Sequence, residues 1–254
     1  MDSVVTSADG TRIAYERAGE GPPLVLIDAA GQFRANSSLG DLAAELAGDF
    51  TVVRYDRRGR GASGDTAPYA PAREVEDLAA VLAGIGGQAS LYGYSSGCLV
   101  ALHAAAAGLP VRRLALLEPP IEPASGDPRQ RAFTTGLQQR TGADAVEFFL
   151  AGIGVPAEAV AGMRGTAHWA AMVSAAPTLA YDSLLSESVD AALLARVRVP
   201  VLVVASTGSD GQLTGMATTA ALLLPDVVQR NVPGEWHGVP AATLAPVLRE
   251  FLGR

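Results

Sequence analysis

The chain has 254 residues, of which 49% are hydrophobic and 18% charged, with a net charge of −7. That balance excludes a disordered chain and predicts one large α/β domain with a sizeable core, while the acidic charge speaks against a nucleic-acid partner. No apolar run approaches the ~20 residues of a membrane span. The N-terminus lacks a basic segment followed by an apolar core, and the single Cys98 excludes an intramolecular disulfide or a multi-cysteine metal site. A cytoplasmic protein with no metal or cofactor is expected. All 19 cationic side chains are arginine.

In chain order, Val4–Thr6 and Arg12–Glu16 flank Asp9-Gly10, a hairpin signal. Leu24–Ile27 is a continuous apolar run of the kind found in a buried parallel strand. A helical pattern follows at Asp41–Ala47, then a strand at Thr51–Tyr55 and the loop Asp56-Arg-Arg-Gly-Arg-Gly-Ala-Ser63. Arg73–Ala83 reads as an amphipathic helix, Ala89–Tyr92 as a strand, Cys98–Ala107 as a helix and Arg113–Leu117 as a strand ending at Glu118-Pro119-Pro120. From Ile121 to about Arg196 the strand–helix alternation breaks into short helices. It resumes with a strand at Val199–Val204, a helix around Met216–Leu224, a strand at Val227–Asn231 and a last helix at Pro240–Phe251. Repeated βα units predict a mostly parallel sheet with helices on both faces. Residues 1–120 and 197–254 are expected to form the core, and 121–196 an inserted helical cap.

Gly93-Tyr94-Ser95-Ser96-Gly97 lies between a strand and a helix. Strand, G-x-S-x-G, helix is the setting of a nucleophile elbow. The tight turn strains Ser95, and neighbours with a Cβ would collide there. The strain lifts the Ser95 hydroxyl clear of the sheet and aims the Ser96 N–H at the place where an oxyanion would form. A serine hydroxyl needs an adjacent base, and the chain has three histidines. His103, about two turns past Ser95, is expected to be structural. His168 sits beside Trp169 in the expected cap. His237 follows the last strand, in a loop after Gly234.

With these pieces on one chain, the sequence resembles the α/β-hydrolases over nearly its whole length. The hairpin, the loop 56–63, the elbow 93–97 and Trp236-His237-Gly238 carry the resemblance. The family's D-x-R-G-x-G-x-S loop is matched residue for residue at 56–63. The resemblance implies an α/β-hydrolase fold and places the general base at His237. It leaves the triad acid between two residues. The usual family pattern, counted from Pro200, puts the acid on Ser209, so Asp210 stands one position late. Glu118, at the end of the preceding strand, is the rival, because some family members carry their acid there. For the oxyanion hole the family has His-Gly-x after its third strand. Here the run is Asp28-Ala29-Ala30-Gly31, so the Ala30 and Ser96 N–H groups are the expected donors.

Asp28 is the departure from the pattern. A carboxylate close to an oxyanion must be protonated, turned away or paired, with Arg34 or Arg57 as candidate partners. Its structural role would be to accept N–H bonds from the Ala30–Gly31 loop. Its sharper role would be acid/base work on a substrate other than a simple ester. Asp56, Arg57 and Arg58 are expected in a structural loop network. Phe133, Phe148, Phe149, Trp169, Tyr181, Met163 and Met172 are expected to divide between cap core and an apolar pocket. The resulting expectation is a serine hydrolase acting on an ester, thioester or lactone of an apolar small molecule. A cyclase, lyase or acyltransferase using Asp28 is the alternative, and an inactive ligand-binding protein a remote one.

Overall fold

Leu24 and Leu26 point to one face of a sheet and Val25 and Ile27 to the other, and all four are buried. An unbroken apolar run is what such a strand requires, since both faces are covered. The computed structural model describes residues 2–122 and 127–253. Pro123–Gly126, near the start of the expected cap, and Met1 lie outside the described residues.

Among the described residues the sheet has eight strands, in the order β1-β2-β4-β3-β5-β6-β7-β8. β1 (Asp2–Thr6) and β2 (Arg12–Ala18) form the antiparallel hairpin, and β2 also pairs antiparallel with β4 (Thr51–Tyr55). The rest are parallel: β3 (Pro23–Ile27), β5 (Ala89–Tyr94), β6 (Val111–Leu117), β7 (Val201–Ser206) and β8 (Val227–Val232). Helix α1 (Gly40–Leu46) and the last helix, α11 (Ala241–Leu252), cover one face through Leu42, Leu46, Leu244 and Leu248. Helices α2 (Pro71–Gly84) and α3 (Ser96–Ala106) cover the other through Leu78, Val81, Leu99 and Leu102.

Between β6 and β7 the chain runs through α4 (Pro128–Gln138), α5 (Gly142–Gly152), α6 (Ala157–Met163), α7 (Ala167–Ser174), α8 (Leu179–Glu187) and α9 (Ala191–Leu194). Val146, Phe149, Trp169, Met172 and Leu179 form a separate apolar cluster there, with Phe133, Phe148 and Met163 against it. Tyr181 stacks on Tyr69 at 3.8 Å and donates to Asp65, fastening α8 to the loop before α2.

Helix α10 (Gly211–Leu223) begins earlier than its apolar pattern predicts. The reason is Asp210, whose carboxylate accepts the Gln212 and Leu213 N–H groups as an N-cap. Among the described residues no helix is long and apolar enough to cross a membrane.

Candidate active site

The turn from β5 to α3 holds Ser95 at φ 51° and ψ −121°. Two glycines make this possible. A Cβ on Gly93 would lie 2.6 Å from the Cys98 nitrogen, and one on Gly97 would collide with the Ile27 carbonyl oxygen at the end of β3. The Ser95 N–H donates to Leu117 O, which ties the turn to β6.

The Ser95 hydroxyl lies 3.0 Å from His237 Nε2, and His237 Nδ1 lies 2.7 Å from Glu118 Oε2. Ser95, Glu118 and His237 are also the three non-glycine positions with positive φ among the described residues, at 51°, 48° and 53°. Backbone held in this region costs about 1–3 kcal/mol per residue and collects at functional sites. Glu118 is fully buried, which opposes ionisation. Hydrogen bonds from His237, Ser209 and the Ser206 N–H outweigh that burial and hold its carboxyl below the usual range. An ionised carboxylate only accepts, so Nδ1 carries the imidazole proton and Nε2 is left to accept the Ser95 hydroxyl.

The loop carrying His237 is pinned from several sides. Tyr94 donates to His237 O at 2.6 Å, the His237 N–H donates to Ser209 Oγ, and Ser206 donates to Glu235 O. Ser206 and Tyr94 had no signal in the sequence beyond their places at strand ends. Ser209, where the family pattern would put an acid, bridges the His237 backbone and Glu118.

The structure does not bring Asp210 to His237 Nδ1. Besides capping α10, its Oδ2 accepts the Trp236 indole N–H at 3.0 Å. His103 bonds Ser188 at 2.8 Å, away from Ser95, and His168 is exposed on α7.

Asp28 also differs from expectation. Arg34 pairs with Asp56 and Glu16, while Arg57 pairs with Glu74 and Asp182, so neither reaches Asp28. Nor does Asp28 accept from the Ala30–Gly31 loop. Its Oδ1 accepts the Ser37 hydroxyl at 2.5 Å, and its buried Oδ2 has no hydrogen-bond partner among the described residues. Burial raises its pKa to about 6.

A raised carboxyl means the folded state binds the proton more tightly than the unfolded chain. Stability therefore falls as pH rises from about 4 to about 6, by on the order of 2–3 kcal/mol. Asp28→Asn is expected to remove this slope. Urea unfolding at pH 4 and pH 7.5 will check it: the variant should gain relative to wild type only at the higher pH.

A cavity of about 330 Å³ opens above Ser95, lined by Ala30, Ser95, Ser96, Leu99 and His237 from the core and by residues of α4, α5, α8 and α10. Asp28 is not among its lining residues. No group of three or more His, Cys, Asp or Glu side chains among the described residues is arranged to hold a metal ion.

The arrangement joins a hydroxyl, an imidazole and a buried carboxylate at the C-terminal edge of a mostly parallel sheet, the constellation that acyl-transferring enzymes use. A sequence model of the alpha/beta hydrolase family matches residues 24–248. An alpha/beta hydrolase from Sphaerobacter thermophilus is 40% identical, with 98% of this chain and 99% of that one covered and a TM-score of 0.85. An esterase from a Rhodococcus species (24% identity, 99% and 98% covered, TM-score 0.76) and the enol-lactonase from Burkholderia xenovorans (19%, 99% and 100%, 0.77) share the fold. This chain belongs to the alpha/beta hydrolase family.

Proposed function

We propose that the protein is a serine hydrolase that cleaves an ester, thioester or lactone of a neutral, largely apolar small molecule. One observation carries this reading: the unbroken chain from Ser95 through His237 to Glu118, at 3.0 and 2.7 Å. Ser95 Oγ attacks the carbonyl carbon while His237 Nε2 takes its proton. The Ala30 and Ser96 N–H groups hold the oxyanion. His237 then returns the proton to the leaving oxygen or sulfur as the tetrahedral intermediate collapses to an acyl-enzyme. Water, deprotonated by His237, releases the acid and restores Ser95. Glu118 keeps the imidazole in its tautomer and stabilises the imidazolium. The helices α4–α9 act as a cap that shapes the substrate cavity.

The substrate class follows from the lining. Leu99, Phe133, Phe149, Ile153, Leu213 and Met216 supply apolar surface. The charged lining is Glu122, Asp127, Asp182, Asp210 and Arg129, and Arg129 is tied to Asp127 at 2.8 Å. Asp182 is matched by Arg57 and Arg60 and Asp127 by Arg129, so the wall offers no uncommitted cation to a carboxylate substrate, and its remaining carboxylates, Glu122 and Asp210, repel one. p-Nitrophenyl butyrate is therefore expected to react with kcat/KM about 10- to 100-fold above that of the p-nitrophenyl hemisuccinate. Equal rates for the two would remove the electrostatic argument.

The activity itself is tested on the purified chain. Neutral p-nitrophenyl esters should be hydrolysed, and one equivalent of a fluorophosphonate should abolish turnover. A folded protein inert toward neutral esters, thioesters and lactones alike would overturn the reading.

A further inference from the structure

Arg57 and Arg60 are buried side chains bound to the same carboxylate. Asp182, on α8, accepts Arg57 Nη1 at 2.7 Å on Oδ1 and Arg60 Nη2 at 2.6 Å on Oδ2. Glu74 takes the other edge of Arg57 through two bonds of 2.7 and 3.1 Å. Two guanidinium groups thus face two carboxylates, and the cluster is neutral. Its influence on the neighbouring cavity lies in where it holds things, not in a net field.

What it holds is specific. Arg60 Nη1 donates to Ala29 O at 2.9 Å, and Arg57 Nη1 donates to Ser96 Oγ at 3.3 Å. Ala29 O and the Ala30 N–H belong to one peptide unit. That unit is planar and trans, so its C=O and N–H point in opposite directions. Fixing the carbonyl on Arg60 therefore fixes the N–H facing away from Arg60. The Gln32 N–H also reaches Ala29 O, at 3.2 Å, but it moves with the same loop. The guanidinium bond is shorter, charge-assisted and anchored outside that loop. Arg60 Nε donates to Thr178 Oγ1 at 2.9 Å, which leaves the guanidinium little freedom to swing.

We infer that Arg60 is a positioning residue for the oxyanion hole, and that Asp182 sets it from α8. The clamp keeps the Ala29–Ala30 peptide from flipping, and through Arg57 it steadies the residue that carries the second donor. α8 would thereby take part in assembling the reaction site as well as in closing the pocket. The inference rests on the proposed roles of Ser95, Ala30 and Ser96.

The test compares Arg60→Met and Asp182→Asn with wild type on p-nitrophenyl acetate and on a trifluoromethyl ketone, which binds as an oxyanion adduct. Losing one aligned donor costs about 10²–10³-fold in kcat. Arg60→Met is expected to show that loss with KM within about threefold, and ketone affinity should fall by a matching factor. Asp182→Asn should fall between Arg60→Met and wild type. Mere loosening of the fold would not separate ketone affinity from KM.

Should Arg60→Met fail to fold, Arg60→Lys keeps the buried charge and is read in the same way. A crystal structure of the phosphonylated wild-type protein gives a reading without any variant. The phosphoryl oxygen should lie within hydrogen-bond distance of the Ala30 N–H, with Ala29 O still on Arg60. A folded Arg60→Met with wild-type kcat, or an adduct with Ala29 O turned off Arg60, overturns the inference. If wild type itself resists fluorophosphonate labelling, the hydrolase reading fails first. If it labels and Arg60→Met is unimpaired, only the clamp fails.

Discussion

Ser95→Ala is expected to lower kcat by about 10⁵- to 10⁶-fold on any neutral ester that the wild-type protein hydrolyses. The loss is large because the hydroxyl held 3.0 Å from His237 Nε2 is the attacking group, and alanine leaves that base without its nucleophile. Stability should respond differently. Ser95 sits at φ 51° and ψ −121°, a conformation that alanine tolerates no better than serine. Ser95→Gly relieves the strain and is expected to raise the unfolding free energy by about 1 kcal/mol while remaining inactive. Urea denaturation of the two variants beside wild type separates these effects. A Ser95→Ala protein with more than about one per cent of wild-type kcat would contradict the assigned nucleophile.

Glu118→Gln carries the second large effect. The Ser206 N–H donates to Glu118 Oε1 at 2.8 Å, and this backbone donor remains in the variant. It selects the amide oxygen of glutamine and turns the amide NH₂ toward His237 Nδ1. The imidazole proton is then driven to Nε2, where it blocks acceptance of the Ser95 proton. A fall in kcat of about 10⁴-fold follows from the wrong tautomer alone. Asp210→Asn touches neither His237 nitrogen, because Asp210 serves as the α10 N-cap and the Trp236 acceptor. It should keep kcat within about threefold of wild type and lose a few tenths to about 1 kcal/mol of stability. The reverse ranking, with Asp210→Asn the more damaging variant, would move the acid to Asp210.

The inner parallel strands were legible because they carry short apolar runs buried on two faces, as in Leu24–Ile27 of β3 and Val201–Ala205 of β7. Gly93 and Gly97 were legible at the elbow because no other residue fits those contacts. Glu118 and Asp210 could not be separated by spacing. Both follow strand ends, and the decision lies in backbone geometry: a positive φ at Glu118 and a helix start at Gly211. The N-cap preference of aspartate is a local signal for the role of Asp210 that a helix placed around Met216–Leu224 does not use. Asp28 misled because its partner, Ser37, is a neutral hydroxyl and not the arginine that a buried carboxylate suggests. The Arg60–Asp182 contact joins residues 122 positions apart, and nothing local in the sequence marks such a pair. Buried arginines become legible only with their acceptors in place.

Peptide mapping after treatment with a fluorophosphonate tests the central claim most directly. Wild type should carry one phosphonyl group on Ser95. Ser95→Ala should carry none, Glu118→Gln should label far more slowly, and Asp210→Asn should label at the wild-type rate. A folded wild-type protein that stays unlabelled at Ser95, or carries the group on another residue, would contradict the account.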